Sequence, residues 1–116
     1  MKLVLLGRPI PAVRMTQRGK YVKDRAQKYL AYKDAVGWAA KLEGCTITKD
    51  AVAVEVHIYL AGGKEGDADN YAKAICDSLN GIAWEDDRQV RRLVVEKHHC
   101  TPPEERAEVE IKGWEG

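Results

Sequence analysis

The feature that most constrains the fold is a run of alternating apolar residues between positions 51 and 60. Every second position there is a large aliphatic residue, and the positions between them are smaller or polar: Val52, Val54, Val56, Ile58 and Leu60 form the aliphatic set. Because successive side chains of a β-strand point to opposite faces, the alternation predicts a strand. One face of this strand must be buried.

Weaker periodicities on either side predict the other elements. Apolar residues at three- and four-residue spacing indicate helices, and short apolar runs ended by Gly or Pro indicate strands. The predicted elements are a strand over residues 2–7, a helix from Asp24 to Glu43, the strand over residues 51–60, a helix from Asp69 to Asn80, and strands over Val90–Lys97 and Arg106–Lys112. The order β-α-β-α-β-β favours an α+β fold with two helices packed on a small sheet.

Length and composition set outer limits on the kind of protein. The 116 residues fit one domain spanning residues 1–116. No stretch approaches the length of a membrane span, and the apolar run at the N-terminus is too short for a signal peptide, so we expect a cytoplasmic protein with no membrane partner. Cys45, Cys76 and Cys100 are widely spaced, which favours reduced thiols over disulfides or a cysteine zinc site.

Charge is unevenly distributed along the chain. Residues 1–44 contain ten Lys or Arg against three Asp or Glu, whereas residues 45–116 contain nine against fifteen. A basic surface for phosphates beside a separate acidic site would produce this asymmetry, although ordinary solvation of charged residues produces it as well.

The most informative segment holds five aspartates and a lysine between positions 67 and 87. These residues are Asp67, Asp69, Lys73, Asp77, Asp86 and Asp87. The first two aspartates stand where a strand gives way to a helix, and the last precedes another strand. If the strand from Val90 lies beside the strand over residues 51–60, we expect Asp87 to return to the same edge and the carboxylates to converge.

Converging carboxylates require a cation. Oxygen ligands at a partly hydrated site suit Mg²⁺, with Mn²⁺ as a substitute, better than Zn²⁺. Such an ion activates water and neutralises charge on a phosphodiester. Asp67, Asp69 and Asp87 are the predicted ligands, and Lys73, four residues after Asp69 on the same helix face, would stabilise developing phosphate charge.

Each of these residues also has a plainer interpretation. Asp69 could simply cap the helix, Asp69 and Lys73 could form a surface pair, and Asp86 with Asp87 could form a solvated turn. His98 and His99 are adjacent in a predicted strand and point to opposite faces, so we assign that pair no metal. The combination of the aspartates and the lysine, rather than any single residue, favours a metal-dependent site.

These residues resemble the RusA family of endodeoxyribonucleases. The similarity is carried by Asp67-Ala68-Asp69-Asn70, Lys73, Asp77-Ser78-Leu79-Asn80-Gly81 and Trp84-Glu85-Asp86-Asp87-Arg88-Gln89-Val90. The resemblance implies a RusA-like mixed sheet and a homodimeric, Mg²⁺-dependent enzyme of recombination and repair that places paired nicks in opposing strands of a four-way (Holliday) junction.

The resemblance also assigns roles to single residues. It implies that Asp67, Asp69 and Asp87 are essential metal ligands and that Lys73 is catalytic. Asp77, Asp86 and Asn70 would support them, and the basic residues Arg14, Arg18 and Lys20 would contact the DNA backbone.

Two alternatives stay open at this point. One keeps the metal site but cuts flaps, forks or other branched DNA without a junction preference. The other is a non-catalytic DNA-binding module in which the acidic residues only support the fold. A phosphohydrolase acting on small molecules is disfavoured, because the chain has no Gly-rich phosphate loop of the P-loop kind.

Overall fold

The computed structural model describes residues 1–13 and 24–116. The elements are β1 (Lys2–Leu6), α1 (Asp24–Leu42), β2 (Val52–Leu60), α2 (Ala68–Leu79), β3 (Val90–His99) and β4 (Arg106–Gly113), with short 3₁₀ turns at Asp87–Gln89 and Pro102–Glu104. The predicted order β-α-β-α-β-β is confirmed, and the predicted element ends are displaced by no more than two residues.

The four strands form one mixed sheet in the order β1-β4-β2-β3. β4 pairs antiparallel with both β1 and β2, whereas β3 pairs parallel with β2. The parallel pair follows from the connection, because a strand can return parallel to its predecessor only through a crossover, and α2 provides it. The expected pairing of β2 with β3 as adjacent strands is therefore confirmed.

Both helices cover one face of this sheet. Val54, Val56 and Ile58 of β2 are fully buried beneath them, in the alternation that the sequence predicts. The predicted apolar stripe of α2 is buried in the same core, together with Trp84 from the turn after the helix. Burial of the larger aliphatic side chains contributes about 1.5–3 kcal/mol each.

The opposite face of the sheet carries polar and aromatic residues. β2 presents Glu55, His57 and Tyr59 there, and each is only partly buried. The parallel register places His57 opposite Glu96 and Tyr59 opposite His98 of β3. We call this surface the open face of the sheet.

No helix in the described ranges is long and apolar enough to cross a membrane. All three cysteines are free thiols, as expected.

Candidate active site

The site begins at the N-terminus of α2, where close packing fixes the backbone. A Cβ at Gly66 would lie 2.8 Å from the side chain of Pro11, so only glycine fits there. The Gly66 amide donates to the Tyr71 hydroxyl at 3.1 Å, and the Lys97 ammonium donates to the Gly66 carbonyl at 3.1 Å. Asp67 follows as the N-cap residue, and the two hydrogen bonds of Gly66 fix the backbone immediately before it.

The carboxylates of Asp67 and Asp69 do not cap the N-terminus of α2. Asp67 occupies the N-cap with extended backbone angles, yet its side chain makes no capping hydrogen bond. Asp69 lies in the first turn rather than at the cap, so the capping interpretation of Asp69 is wrong. Both residues are exposed, and the positive end of the helix dipole favours negative charge there.

Lys73 is exposed one turn further along the same side of α2. Among the described residues, no ion pair within 4.0 Å joins Lys73 to Asp69. The interpretation as a simple surface pair therefore has no geometric support, and the ammonium is available to a ligand.

A cleft of about 450 Å³ lies between the two helices; we call it the α2 cleft. Its lining residues are Ala12, Val13, Tyr29, Lys33, Asn70, Lys73 and Asp77. Two ammonium groups therefore face the cleft from opposite helices, Lys33 from α1 and Lys73 from α2. The predicted supporting residues Asn70 and Asp77 line it as well.

Tyr29 ties the two walls of the α2 cleft together. Its buried ring belongs to α1, and its hydroxyl donates to the Asp77 carboxylate at 3.1 Å. Burial raises the pKa of the Tyr29 hydroxyl above its usual range, and the charge of Asp77 adds to the rise. Tyr29 therefore remains a proton donor and holds Asp77 in a fixed orientation. The sequence carries no local signal for this role of Tyr29, because the contact joins two different helices.

Asp86 organises the turn before β3. Its carboxylate accepts from the Arg88 amide at 2.8 Å and from the Arg88 guanidinium, which lowers the pKa of Asp86. Gln89 completes a capping box with Asp86 and donates to the carbonyls of Thr48 and Asp50. The chain thus uses Asp86 as a structural cap, a role that also fits a support for its neighbour Asp87.

Asp87 is held differently. The buried indole of Trp84 donates to one Asp87 carboxylate oxygen at 2.8 Å, while the residue itself stays exposed. Burial raises the pKa of the Cys76 thiol to about 12, and the charges of Asp87 and Asp77 add to the rise. Asp87 therefore lies near the C-terminal half of α2, with one oxygen oriented by the indole.

The expected return of Asp87 to the edge that carries Asp67 does not occur. β3 lies beside β2 but runs parallel to it, so Asp87 precedes β3 near the start of β2, whereas Asp67 follows the end of β2. α2 contains 12 residues and is about 18 Å long, and it separates the two positions. The expected convergence depended on the adjacency of the strands, whereas their relative direction decides where Asp87 lies.

A different set of potential ligands does converge. Among the described residues, the group with three His, Cys, Asp or Glu ligand atoms within 4.8 Å of one another is His57, Glu96 and His98. The predicted ligands Asp67, Asp69 and Asp87 do not form such a group. The sequence carries no local signal for the histidine group, because the group forms only through the parallel register of β2 and β3.

The basic residues Arg14, Arg18 and Lys20 lie outside the described residues. Val13, the last described residue before them, lines the α2 cleft. Ala12 is fixed beside α2, because its amide donates to the Asn70 carbonyl at 2.9 Å.

Comparison with known protein families gives one match that covers most of the chain. The family described as Endodeoxyribonuclease RusA matches residues 7–112. A search of curated proteins finds no match. The matched region includes every residue that lines the α2 cleft. It also includes Asp67 and Asp69 at the start of α2 and Asp86 and Asp87 before β3.

Proposed function

Because the chain belongs to the RusA family of endodeoxyribonucleases, we propose that it is a Mg²⁺-dependent enzyme that resolves four-way DNA junctions by paired nicks in opposing strands. The observation that carries the proposal is the family match over residues 7–112, within which the acidic motif and its lysine are present. Membership of the family implies junction resolution. The dependence on Mg²⁺ and the pairing of the nicks are part of the proposal.

The donor set fits a hard divalent cation. Asp67 and Asp69 offer exposed carboxylate oxygens at the start of a rigid helix, and neither is used as a helix cap through its side chain. Mg²⁺ binds through one or two carboxylates and keeps several waters, and Mn²⁺ accepts similar ligands. When bound, such an ion supplies a more acidic water and neutralises phosphodiester charge.

Asp87 remains a proposed ligand with a separate test. One oxygen of its carboxylate accepts from Trp84 and the residue is exposed, so the carboxylate is both oriented and accessible. Because α2 separates it from Asp67, Asp87→Asn should be compared directly with Asp69→Asn. Equal loss of nicking would place both carboxylates in one reaction step.

The lysines of the α2 cleft supply positive charge to the DNA. We assign Lys73 to the phosphate that is cleaved, because it lies one turn from Asp69 on the same side of α2. Lys33 faces it from α1 and would hold a neighbouring phosphate. Arg14, Arg18 and Lys20 would extend this contact along the DNA backbone, so affinity should fall steeply as salt rises.

Two nicks in one junction require two sites. We propose a homodimer, since a two-fold protein presents identical sites to the two symmetry-related strands of a junction. A protein acting on DNA in recombination and repair would work in the cytoplasm. Sedimentation equilibrium with and without junction DNA measures the oligomeric state, and a monomer on the junction would contradict paired cleavage.

The deciding experiment compares a synthetic four-way junction with a linear duplex of the same sequences. Wild type and Asp69→Asn are incubated with each substrate in Mg²⁺ and in EDTA. We expect symmetric nicks on the junction alone, only with Mg²⁺ and only for the wild type. Equal cutting of forks and flaps would indicate a general nuclease for branched DNA, and binding without cleavage would indicate a DNA-binding module.

A further inference from the structure

Two histidines and a glutamate form a compact cluster on the open face of the sheet. His57 Nδ1 lies 2.8 Å from His98 Nε2, and His98 Nε2 lies 3.1 Å from a Glu96 carboxylate oxygen. The third separation, from His57 Nδ1 to the same oxygen, is 4.0 Å. The proposed nuclease residues of α2 belong to the helical side of the sheet, so this cluster is separate from them.

The strand register produces the cluster. β2 and β3 are parallel and hydrogen-bonded, and His57 stands opposite Glu96. His98 is two residues beyond Glu96 and therefore points to the same face. Because all three side chains arise from the middle or end of paired strands, their backbone positions are fixed by the sheet.

Counting protons shows that the cluster has more acceptors than donors. A carboxylate can only accept, so the 2.9 Å contact between His57 Nε2 and Glu55 requires Nε2 to be the donor. Nδ1 of neutral His57 then carries a lone pair. His98 Nε2 faces both this lone pair and the Glu96 oxygen, and a single N–H cannot satisfy two acceptors well. Replacing that proton by a cation would satisfy all three atoms.

The surrounding residues orient both rings. Glu55 accepts from His57 Nε2 at 2.9 Å. Carboxylates commonly hold metal-binding histidines in this way. Tyr59 stacks on His98 with ring centroids 4.6 Å apart. The guanidinium of Arg106, which belongs to β4, lies 3.8 Å from the centroid of the Tyr59 ring. The imidazoles are therefore partly preorganised.

We propose that His57 Nδ1, His98 Nε2 and a Glu96 oxygen bind one Zn²⁺ ion, with water in the fourth position. Two imidazoles and a carboxylate form a ligand set that zinc uses, whereas Mg²⁺ prefers oxygen alone. Tetrahedral zinc needs ligand atoms about 3.3 Å apart, so the imidazoles would separate slightly and the carboxylate would approach. The two rings are about 28 % and 29 % exposed, which leaves room for the fourth ligand.

The proposed ion would join the edge strand β3 to its neighbour β2. Within the described part of the chain β3 has hydrogen bonds to one strand only, and all of its residues are exposed or half-buried. A metal bridge between paired strands binds only the folded sheet, so zinc should raise the stability of the native state. The proposed role of this site is therefore structural and is independent of nuclease activity.

Zinc titration by calorimetry tests the site on the full-length, chelator-treated protein. His99 supplies a matched control, because it is the next residue of β3, is exposed, and points to the opposite face. We expect one Zn²⁺ per chain for the wild type and for His99→Ala. His57→Ala and His98→Ala should weaken binding by more than about 100-fold, and Glu55→Gln, which removes an orienting partner, by about 10- to 100-fold.

Two further measurements make the result decisive. Co²⁺ reports the ligand types, because thiolate ligands give an intense near-ultraviolet charge-transfer band that imidazole and carboxylate do not. Zinc should also raise the melting temperature of the wild type and His99→Ala but not of His98→Ala. If an alanine variant is unfolded in EDTA, Glu96→Gln on the exposed rim of the cluster replaces it and should also weaken binding.

Several results would overturn the proposal. These are the absence of stoichiometric zinc binding by the folded wild type, an equal loss in His99→Ala, and a thiolate band that assigns the metal to cysteine. Asp69→Asn should bind zinc as the wild type does, so failure of junction cleavage and failure of the zinc site are distinguishable.

Discussion

Two tyrosines on α1, Tyr29 and Tyr32, should respond differently to loss of the hydroxyl. Tyr29 donates to Asp77 at 3.1 Å across the α2 cleft. Tyr32 has a buried hydroxyl with no hydrogen-bond partner among the described residues. The change from Tyr to Phe removes one oxygen atom and leaves the ring, so packing is nearly the same in both variants.

The magnitudes follow from the cost of each group. A hydrogen bond to a charged group contributes about 1.5–3 kcal/mol, but Asp77 is half-exposed and recovers part of this from water. We therefore expect Tyr29→Phe to lower the free energy of unfolding by about 1 kcal/mol. Tyr32→Phe removes a buried donor that has no partner, so its effect should be neutral or stabilising by up to about 1 kcal/mol.

Urea unfolding followed by circular dichroism measures both values, and each kcal/mol corresponds to about 4 °C in melting temperature for a domain of this size. The double variant of Tyr29→Phe with Asp77→Asn should show that the two losses are not additive. Equal destabilisation by Tyr29→Phe and Tyr32→Phe would refute the assignment of the hydrogen bond. An additive double variant would do the same.

Three other predictions concern the site and its surroundings. Lys73→Ala should still bind four-way junctions in a gel-shift assay but cleave them about 10²- to 10³-fold more slowly, and an equal loss of binding would argue against a catalytic lysine. Asp67→Asn should abolish nicking while changing metal-free stability by less than about 1 kcal/mol, because the exposed carboxylate makes no capping hydrogen bond and only its interaction with the helix dipole is lost; an unfolded variant would make Asp67 structural. The backbone amide of Ala61 and the guanidinium of Arg8 lower the pKa of Glu105, so its contribution is present above about pH 4.3, the unfolded value, and is lost as pH falls through the folded pKa. Acid titration of stability should therefore be shallower in Glu105→Gln than in the wild type.

Local sequence signals predicted the elements well because each one depends on near neighbours. The alternation of Val52 to Leu60 and the apolar stripe of α2 are properties of single segments, and both are buried as expected. The polar side of α2 was also predictable, since Asn70, Lys73 and Asp77 recur at helical spacing and line one cleft.

Features that depend on pairing between distant segments were not predictable. Whether β3 runs parallel or antiparallel to β2 decides on which side Asp87 lies. The helix between these strands favours the parallel pair, but the adjacency of the strands alone does not distinguish the two directions. The same pairing brings His57 to His98, although the sequence directs attention to the adjacent His98 and His99. The contact of Tyr29 with Asp77 requires the relative placement of two helices, which periodicity does not define.

The strand order also sets the sequence of events in folding. β4 lies between β1 and β2, and among the described strands it is the only partner of β1. During synthesis β1 has no sheet partner among the described strands until β4 (Arg106–Gly113) has left the ribosome. One edge of β2 stays unpaired for the same period. Such long-range pairing slows folding and exposes unpaired strand edges. Truncations within β4, a central strand, should therefore be far more prone to aggregation than truncations of equal length in the edge strand β1.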